Sequence, residues 1–127
     1  MSNMEKPFVE IADLMSRYFN GLYHVNTTKL NGVFHPDARY INMVEGNYTN
    51  KSLIEYFELL NKRIPPAKNS ELFEYRVDSI ELGGQRMAIV KASVTMMRRD
   101  YCDFLTLTCD HLGWRIMSKV FTYKVNG

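Results

Sequence analysis

The spacing of apolar residues changes at Pro65-Pro66, and this change constrains the fold more than any other feature of the sequence. Before the proline pair, apolar side chains recur every three to four residues, as they do along one face of a helix. After it, they follow the patterns of β-strands. Helices followed by an antiparallel meander predict an α+β fold, in which the helices cover one face of the sheet.

Two helices are expected in the first part of the chain. The first covers about residues 6–23 and has Pro7 in its first turn. Its apolar stripe consists of Phe8, Ile11, Ala12, Met15, Phe19 and Leu22. The second is short and carries Leu30, and either Thr27 or Thr28 can cap it. His35-Pro36 ends it, because a residue before proline is driven away from the helical conformation.

A short strand over residues 39–43 leads to a third helix. Ser52-x-x-Glu55 is a capping-box pattern, which satisfies two free N–H groups where a helix begins. The helix continues to Pro65-Pro66, which ends it because proline has no N–H and clashes with the preceding turn. Its apolar side carries Leu53, Phe57, Leu60 and Ile64.

Four strands are expected after the proline pair, over residues 72–82, 86–97, 101–109 and 114–123. Gly83-Gly84 can take the positive φ that a tight hairpin requires. Arg98-Arg99-Asp100 is a polar break between the second and third of these strands. One face of the last strand, carrying Arg115, Met117, Lys119 and Phe121, would suit a partner chain.

The composition suits a globular protein with a real core. The 127 residues are 46% hydrophobic and predict a single domain over residues 1–127. Sixteen basic and fourteen acidic residues give a formal charge of +2, too small and scattered for a nucleic-acid-binding face. No stretch approaches the run of about 20 apolar residues that crosses a membrane, and no signal-peptide pattern begins the chain. We expect a cytoplasmic protein without nucleic-acid or membrane partners.

Motifs for metal or cofactor chemistry are missing from the sequence. None of the three histidines stands at a zinc-ligand spacing, and no phosphate-binding glycine loop or nucleophile elbow occurs. We therefore expect neither a metal nor a cofactor. Cys102 and Cys109 lie on one predicted strand, on the order of 23 Å apart. A disulfide requires Cα atoms within about 7 Å, so we expect two buried, reduced thiols.

Asp103 is the most informative carboxylate. It shares a strand face with Tyr101, Leu105 and Leu107, where a carboxylate must be paired, protonated or facing a cavity. The alternatives are that it lies near the strand end in solvent or binds a neighbouring Arg or Lys. Tyr18, beside the apolar stripe of the first helix, is either a core residue or a second polar group of the same pocket.

Four stretches of sequence stand in a characteristic order. They are Arg17-Tyr18-Phe19-Asn20-Gly21-Leu22-Tyr23-His24, Val33-Phe34-His35-Pro36-Asp37-Ala38, Asp103-Phe104-Leu105-Thr106-Leu107, and Gly113-Trp114-Arg115-Ile116 with Lys119-Val120-Phe121. Their order and spacing resemble the nuclear transport factor 2-like superfamily over about residues 5–124. The most similar branch is the putative lumazine-binding proteins, related to SnoaL-like polyketide cyclases and ketosteroid isomerases.

The resemblance implies a cone-shaped α+β fold of the cystatin-like type, commonly a homodimer. Three N-terminal helices would close one side of a strongly curved, mostly antiparallel sheet, and the interior of the cone would hold the ligand. Ketosteroid isomerases use an Asp base, a Tyr and a protonated Asp. In this chain, the resemblance places that Tyr at Tyr18, the protonated Asp at Asp103 and the base at Asn42.

Asn42 cannot abstract a proton, so the resemblance does not extend to isomerase chemistry. Loss of a general base costs about 10²–10⁴-fold in rate. His35 and Asp37 are the nearby substitutes, and both have the pattern of turn residues. We therefore expect a binder of a small hydrophobic or aromatic molecule without a strong catalytic base. The expected ligand contacts are Tyr18, Asn42, Asp103, Tyr101 and Trp114.

Two other functions remain open from the sequence. One is a SnoaL-like cyclase, isomerase or dehydratase acting on an aromatic or polycyclic carbonyl compound. In that enzyme Asp103 would be the acid or base and Tyr18 the hydrogen-bond donor. The other is a protein-interaction module that uses the outer face of the sheet. Both ligand hypotheses require a cavity that touches Tyr18 and Asp103.

Overall fold

Three α-helices and six β-strands follow one another along residues 5–126, the part of the chain that the computed structural model describes. In chain order they are α1 (Lys6–His24), α2 (Thr27–Asn31), β1 (Phe34–Asn42), β2 (Thr49–Ser52), α3 (Leu53–Asn61), β3 (Glu74–Gly83), β4 (Met87–Met96), β5 (Arg99–Asp110) and β6 (Gly113–Val125). Short 3₁₀ turns cover Val44–Gly46 and Pro66–Asn69. None of these helices is both long and apolar enough to cross a membrane.

The strands form one curved sheet in the order β2-β1-β6-β5-β4-β3. Neighbouring strands run antiparallel except β1 and β6, which are parallel. The side chains of β4 alternate as the sequence predicts, with Ala88, Val90, Ala92, Val94 and Met96 buried. The buried side of α1 and the inner face of the sheet form one apolar core. The expected α+β fold, helices packed on a curved and mostly antiparallel sheet, is confirmed.

The first helix and the third helix begin as predicted, but two details of the helices differ. The cap of α2 is Asn26, whose Oδ1 accepts the Lys29 N–H at 3.0 Å, and neither Thr27 nor Thr28 serves this purpose. The capping box at the start of α3 is present. However, α3 ends at Asn61, and Ile64 is 65% exposed because the chain leaves the helix before it.

The chain between α2 and α3 differs from the prediction. β1 begins at Phe34 and ends at Asn42, so Pro36 lies inside a strand. The register of β1 against β6 shifts between Phe34 and Arg39, and such an irregularity tolerates a residue that has no N–H. The strand β2 follows, which the sequence pattern does not predict. It pairs with the edge of β1.

The hairpins on either side of β4 differ in their turns. Gly84 has φ +69°, as the glycine pair predicts. Between β4 and β5, the turn is Met97-Arg98, and both residues have positive φ, 52° and 58°. The polar break is therefore displaced, because β5 already begins at Arg99. Two successive residues with positive φ are the geometry of a tight hairpin turn that normally favours Asn and Gly.

A β-bulge in β6 decides which of its side chains point inward. Thr106 and Leu107 are consecutive in β5, but their partners in β6 are Ser118 and Ile116. Met117 is the extra residue of this bulge. Because side chains alternate along a strand, one extra residue exchanges the two faces for the rest of the strand.

The bulge overturns the prediction of the outer face of β6. Arg115, Met117, Lys119 and Phe121 were expected to share one surface. Instead, Lys119 and Phe121 are 4% and 7% exposed and lie on the inner face. The strict alternation of a regular strand, on which the prediction relied, does not continue past Met117.

Candidate functional site

The structure brings Tyr18 and Asp103 together in the interior. Tyr18 lies on the buried side of α1, and Asp103 lies within β5 on the inner face of the sheet. The Tyr18 hydroxyl donates a hydrogen bond of 2.7 Å to Oδ2 of Asp103. The two residues are 0% and 1% exposed. The alternative that Asp103 lies in solvent near the strand end is therefore wrong.

Lys119 is a third member of this cluster. Its Nζ lies 4.0 Å from Oδ2 of Asp103 and donates a hydrogen bond of 3.3 Å to the Tyr56 hydroxyl. A separation of 4.0 Å is short enough for an ion pair, but it is too long for a hydrogen bond. Regular strand alternation predicts Lys119 on the outer face, because the bulge that turns it inward depends on strand pairing.

Aromatic rings surround the ammonium group of Lys119. Its Nζ lies between 5.2 and 6.0 Å from the ring centroids of Tyr18, Tyr40, Tyr56 and Phe121. At these distances the negative faces of aromatic rings attract a cation. Tyr40 and Tyr56 are stacked on each other, with centroids 4.3 Å apart and planes at 21°. The rings thus hold the charge in place without saturating its hydrogen-bond donors.

The cluster leaves hydrogen-bonding capacity unused. Oδ1 of Asp103 is buried and has no hydrogen-bond partner among residues 5–126. An ammonium group has three donors, and the Tyr56 hydroxyl takes one of those of Lys119. Buried polar atoms are nearly always hydrogen-bonded, since an unpaired one costs about 1–3 kcal/mol. The interior therefore offers one acceptor and spare donors to a further polar group.

The hydroxyls of Tyr18, Tyr40 and Tyr56, the tyrosines around Lys119, are donors and acceptors of hydrogen bonds rather than bases. Burial raises the pKa of Tyr18 well above its usual value, and the neighbouring Asp103 carboxylate raises it further. Burial also raises the pKa of Tyr56. For Tyr40, burial raises the pKa while the nearby Lys119 ammonium opposes the shift. All three hydroxyls are protonated at neutral pH.

Asn42, Tyr101 and Trp114 lie at different distances from the cluster. Oδ1 of Asn42, at the end of β1, accepts the Val44 N–H at 3.1 Å and so belongs to a local turn. Tyr101 lies on the same strand face as Asp103, and its hydroxyl accepts a hydrogen bond of 3.2 Å from Arg99.

Trp114 lies far from the Tyr18–Asp103 pair along the sheet. Asp103 is paired with Phe121, and Trp114 is seven residues from Phe121 along β6, roughly 23 Å in an extended strand. The structure thus places Tyr101 beside the cluster and does not bring Trp114 to it.

The candidate substitute bases do not reach the cluster either. The Asp37 carboxylate is 85% exposed, and the Asp37 N–H donates to Nδ1 of His35 at 3.0 Å. The two cysteines, Cys102 and Cys109, are free and partly exposed rather than buried. Within residues 5–126, no group of three or more His, Cys, Asp or Glu side chains is placed to hold a metal ion.

The Tyr18–Asp103 pair is closed to solvent by side chains. The aromatic residues nearest to the surface around it are Tyr40, Tyr101 and Phe121, each 7% exposed. Five open pockets within residues 5–126 are lined by other side chains, and none of the five touches Tyr18 or Asp103, so they do not supply the cavity that both ligand hypotheses require. One of about 360 Å³ lies beside α1 and is lined by Ser16, Phe19, Asn20, Tyr23, Glu71, Phe73 and Tyr75. Another, of about 300 Å³, is lined by Ile41, Asn42, Met43, Cys102, Phe104, Val120, Phe121 and Thr122.

Solved structures of other proteins share this fold. A nuclear transport factor 2-like protein of unknown function from Silicibacter pomeroyi is 19% identical, with a TM-score of 0.84 over 98% of this chain and 100% of that one. A cystatin-like fold protein from Burkholderia xenovorans is 12% identical, with a TM-score of 0.75 over 98% and 97%. A ketosteroid isomerase-like protein from Erwinia carotovora atroseptica is 12% identical, with a TM-score of 0.67 over 91% and 94%.

At these identities, the structural similarity shows the fold and not the activity. No curated protein matches the chain at a significant level. A family model described as putative lumazine-binding matches residues 6–122, nearly the whole length of the chain. The chain therefore belongs to the putative lumazine-binding family, and it shares its fold with nuclear transport factor 2-like proteins.

Proposed function

We propose that the protein binds a small, flat and mostly apolar molecule in the interior between α1 and the sheet. The observation that carries this proposal is the unpaired Oδ1 of Asp103, buried in an otherwise apolar and aromatic core. A purely structural carboxylate in such a place would be expected to have both oxygens hydrogen-bonded. A ligand that donates a hydrogen bond to Oδ1 would satisfy it.

The surroundings of Asp103 support a flat and uncharged ligand. The carboxylate and the Lys119 ammonium balance each other in charge, so a neutral molecule leaves no uncompensated charge in the interior. The rings of Tyr40 and Tyr56 stack on each other close to Lys119. Aromatic side chains of this kind bind a planar apolar molecule through burial and offset stacking.

Binding requires both an opening and space for the ligand, because the cluster is closed and the open pockets described above do not touch Tyr18 or Asp103. Tyr40, Tyr101 and Phe121 separate it from solvent and retain a small exposure. In this proposal, rotation of these rings away from Asp103 provides both the opening and the space. Rotamer changes of this kind occur readily at binding sites, even where the backbone moves little.

We also propose that the protein is a homodimer that uses the outer face of the sheet. Ile89 on β4, Phe104 on β5 and Val120 on β6 are 50%, 53% and 42% exposed, although they are large and apolar. They lie on neighbouring strands and form an apolar patch that a second copy would cover. Sedimentation at micromolar protein concentration should give the mass of a dimer, whereas a Phe104→Glu, Val120→Glu variant should give a monomer. A monomeric wild-type protein would contradict this part of the proposal.

The binding proposal is tested by calorimetry with flat aromatic and polycyclic compounds, including pterins and flavins. We expect at least one compound to bind the wild-type protein, and its affinity to fall at least tenfold in Asp103→Asn. Asp37→Asn, which changes an exposed carboxylate in the same way, is the matched control and should bind like the wild type. If no compound binds, or if Asp103→Asn binds as tightly as the control, the proposal is wrong.

The same samples separate binding from catalysis. Because the resemblance places Asn42, which cannot act as a base, at the position of the base, we expect the bound compound to be recovered unchanged. Mass spectrometry after prolonged incubation would reveal conversion. Conversion that is lost in Asp103→Asn would favour the cyclase or isomerase type of enzyme over a binding protein.

A further inference from the structure

We infer that Asp103 and Lys119 together select a neutral ligand that carries a hydrogen-bond donor next to an acceptor, such as a cyclic amide. The inference rests on the proposed binding function and adds the chemistry of the ligand edge. It also assigns a specificity-determining role to Lys119. The basis is the complementary capacity that these two buried side chains leave unused.

The two groups differ in what they offer. An ionised carboxylate only accepts hydrogen bonds, and an ammonium group only donates them. Oδ2 of Asp103 already accepts the Tyr18 hydroxyl, so Oδ1 is the atom available to a ligand donor. Lys119 donates to Tyr56 and keeps donors for a ligand acceptor. A ligand must therefore provide an N–H or O–H for Asp103 and a carbonyl or ring nitrogen for Lys119.

The separation of the groups favours a single edge of one molecule. Lys119 Nζ lies 4.0 Å from Oδ2 of Asp103, and Oδ1 belongs to the same carboxylate, so one ligand edge with adjacent donor and acceptor atoms is the arrangement that could pair with both side chains. The N–H and C=O of a cyclic amide are adjacent and lie in the plane of its ring. The rings of Tyr40 and Tyr56 stack on each other next to Lys119, and displacement of one of them would expose a flat face to that ring.

Charged ligands and ligands without polar atoms fit these two groups less well than a neutral amide. A carboxylate ligand could bind Lys119, but it would place a second negative charge beside Asp103 in a site shielded from water. An amine could bind Asp103, but it would place a second positive charge beside Lys119. Each of these charges would also lose its hydration on burial. A simple hydrocarbon would leave both Oδ1 and the Lys119 donors unpaired. The neutral amide edge is the class that pairs both groups without adding charge.

Three bicyclic probes of similar size test the inference by isothermal titration calorimetry. 2-Quinolone has the donor and the acceptor, N-methyl-2-quinolone has only the acceptor, and naphthalene has neither. We expect 2-quinolone to bind the wild-type protein about ten- to a hundredfold more tightly than the other two, because an unpaired buried group costs that factor.

Variants assign the preference to the two side chains. In Lys119→Met, the advantage of 2-quinolone over naphthalene should fall at least fivefold, whereas Lys91→Met, on the outer face of β4, should preserve it. In Asp103→Asn, the advantage over N-methyl-2-quinolone should shrink. If Lys119→Met does not fold, as judged by near-ultraviolet circular dichroism, the probe series on the wild-type protein still decides.

The outcomes distinguish this inference from the proposed function. If the three probes bind the wild-type protein with equal affinity, the interior binds flat molecules but does not select an amide edge, and the inference alone is wrong. If none of the probes binds while other flat compounds do, the inference is again wrong. If no flat compound of any kind binds, the proposed function and the inference both fail.

Discussion

Removal of one partner of the Lys119–Asp103 pair should destabilise the protein more than removal of both. Lys119→Met keeps an unbranched apolar chain and removes the positive charge. Asp103→Asn keeps the shape of the side chain and an oxygen for the Tyr18 hydroxyl, but removes the negative charge. Each single variant leaves one unpaired charge in a site where the two side chains are 4% and 1% exposed. The double variant leaves none.

The magnitude follows from the distance between the charges. Two unit charges 4.0 Å apart attract each other by about 4 kcal/mol at an effective dielectric constant of about 20. Buried pairs that lose one partner are typically destabilised by about 3–5 kcal/mol, whereas replacement of both partners is often neutral. We therefore expect a loss of about 3–5 kcal/mol in each single variant. In the double variant we expect the loss to be smaller than in either single variant.

Urea unfolding at pH 7, followed by the fluorescence of the single tryptophan, Trp114, measures these free energies. The exposed Arg17–Asp13 pair is the matched control, and its neutralisation should change stability by at most about 0.5 kcal/mol. Additive losses in the double variant, or losses below about 1 kcal/mol in both single variants, would refute the reasoning. Either result would mean that the two charges do not interact as a buried pair.

Three further predictions concern the fold. Burial raises the pKa of Tyr18 and Tyr56. The contribution of each protonated tyrosine to the free energy of unfolding is therefore complete below the pKa of about 10 in the unfolded chain, and it is lost as the pH rises above that value. Stability should then fall by about 1.4 kcal/mol per pH unit for each tyrosine, and a Tyr18→Phe variant with the wild-type slope in alkaline urea titrations would contradict this. Arg98→Gly should stabilise the protein by about 1 kcal/mol, since Arg98 is exposed and has positive φ; an unchanged midpoint of urea unfolding would refute it. Ser52→Ala should cost about 1 kcal/mol in the same assay through loss of the helix cap, and a variant as stable as the wild type would count against that cap.

The hydrogen bonds around Asp103 bear on the hypothesis that the protein is an enzyme. An acid–base enzyme requires a group that can take up a proton during the reaction. The Tyr18 hydroxyl donates to Asp103, and Asn42, to which the resemblance assigns the base position, is held by a local turn. The remaining acceptor is Oδ1 of Asp103, which would hold a polar edge of the ligand in a binding protein and would take up the proton in an enzyme.

Local patterns in the sequence predicted most of the fold because they depend on neighbours in the chain. The apolar stripe of α1, the capping box at Ser52 and the alternation along β4 each require only a few adjacent residues. The pairing of Tyr18 with Asp103 came from the resemblance to a family, because the two residues are 85 positions apart in sequence. No local pattern connects them.

The chain by itself thus determined an α+β fold with helices before the meander, a buried apolar face, and a carboxylate placed on it. Only the tertiary structure decided that Lys119 joins that carboxylate. The reason is the bulge at Met117, which exists because of how β6 pairs with β5 and which reverses the faces of the strand beyond it. Strand register is a property of two segments, so the residue that balances the buried charge of Asp103 could not be identified from either segment alone.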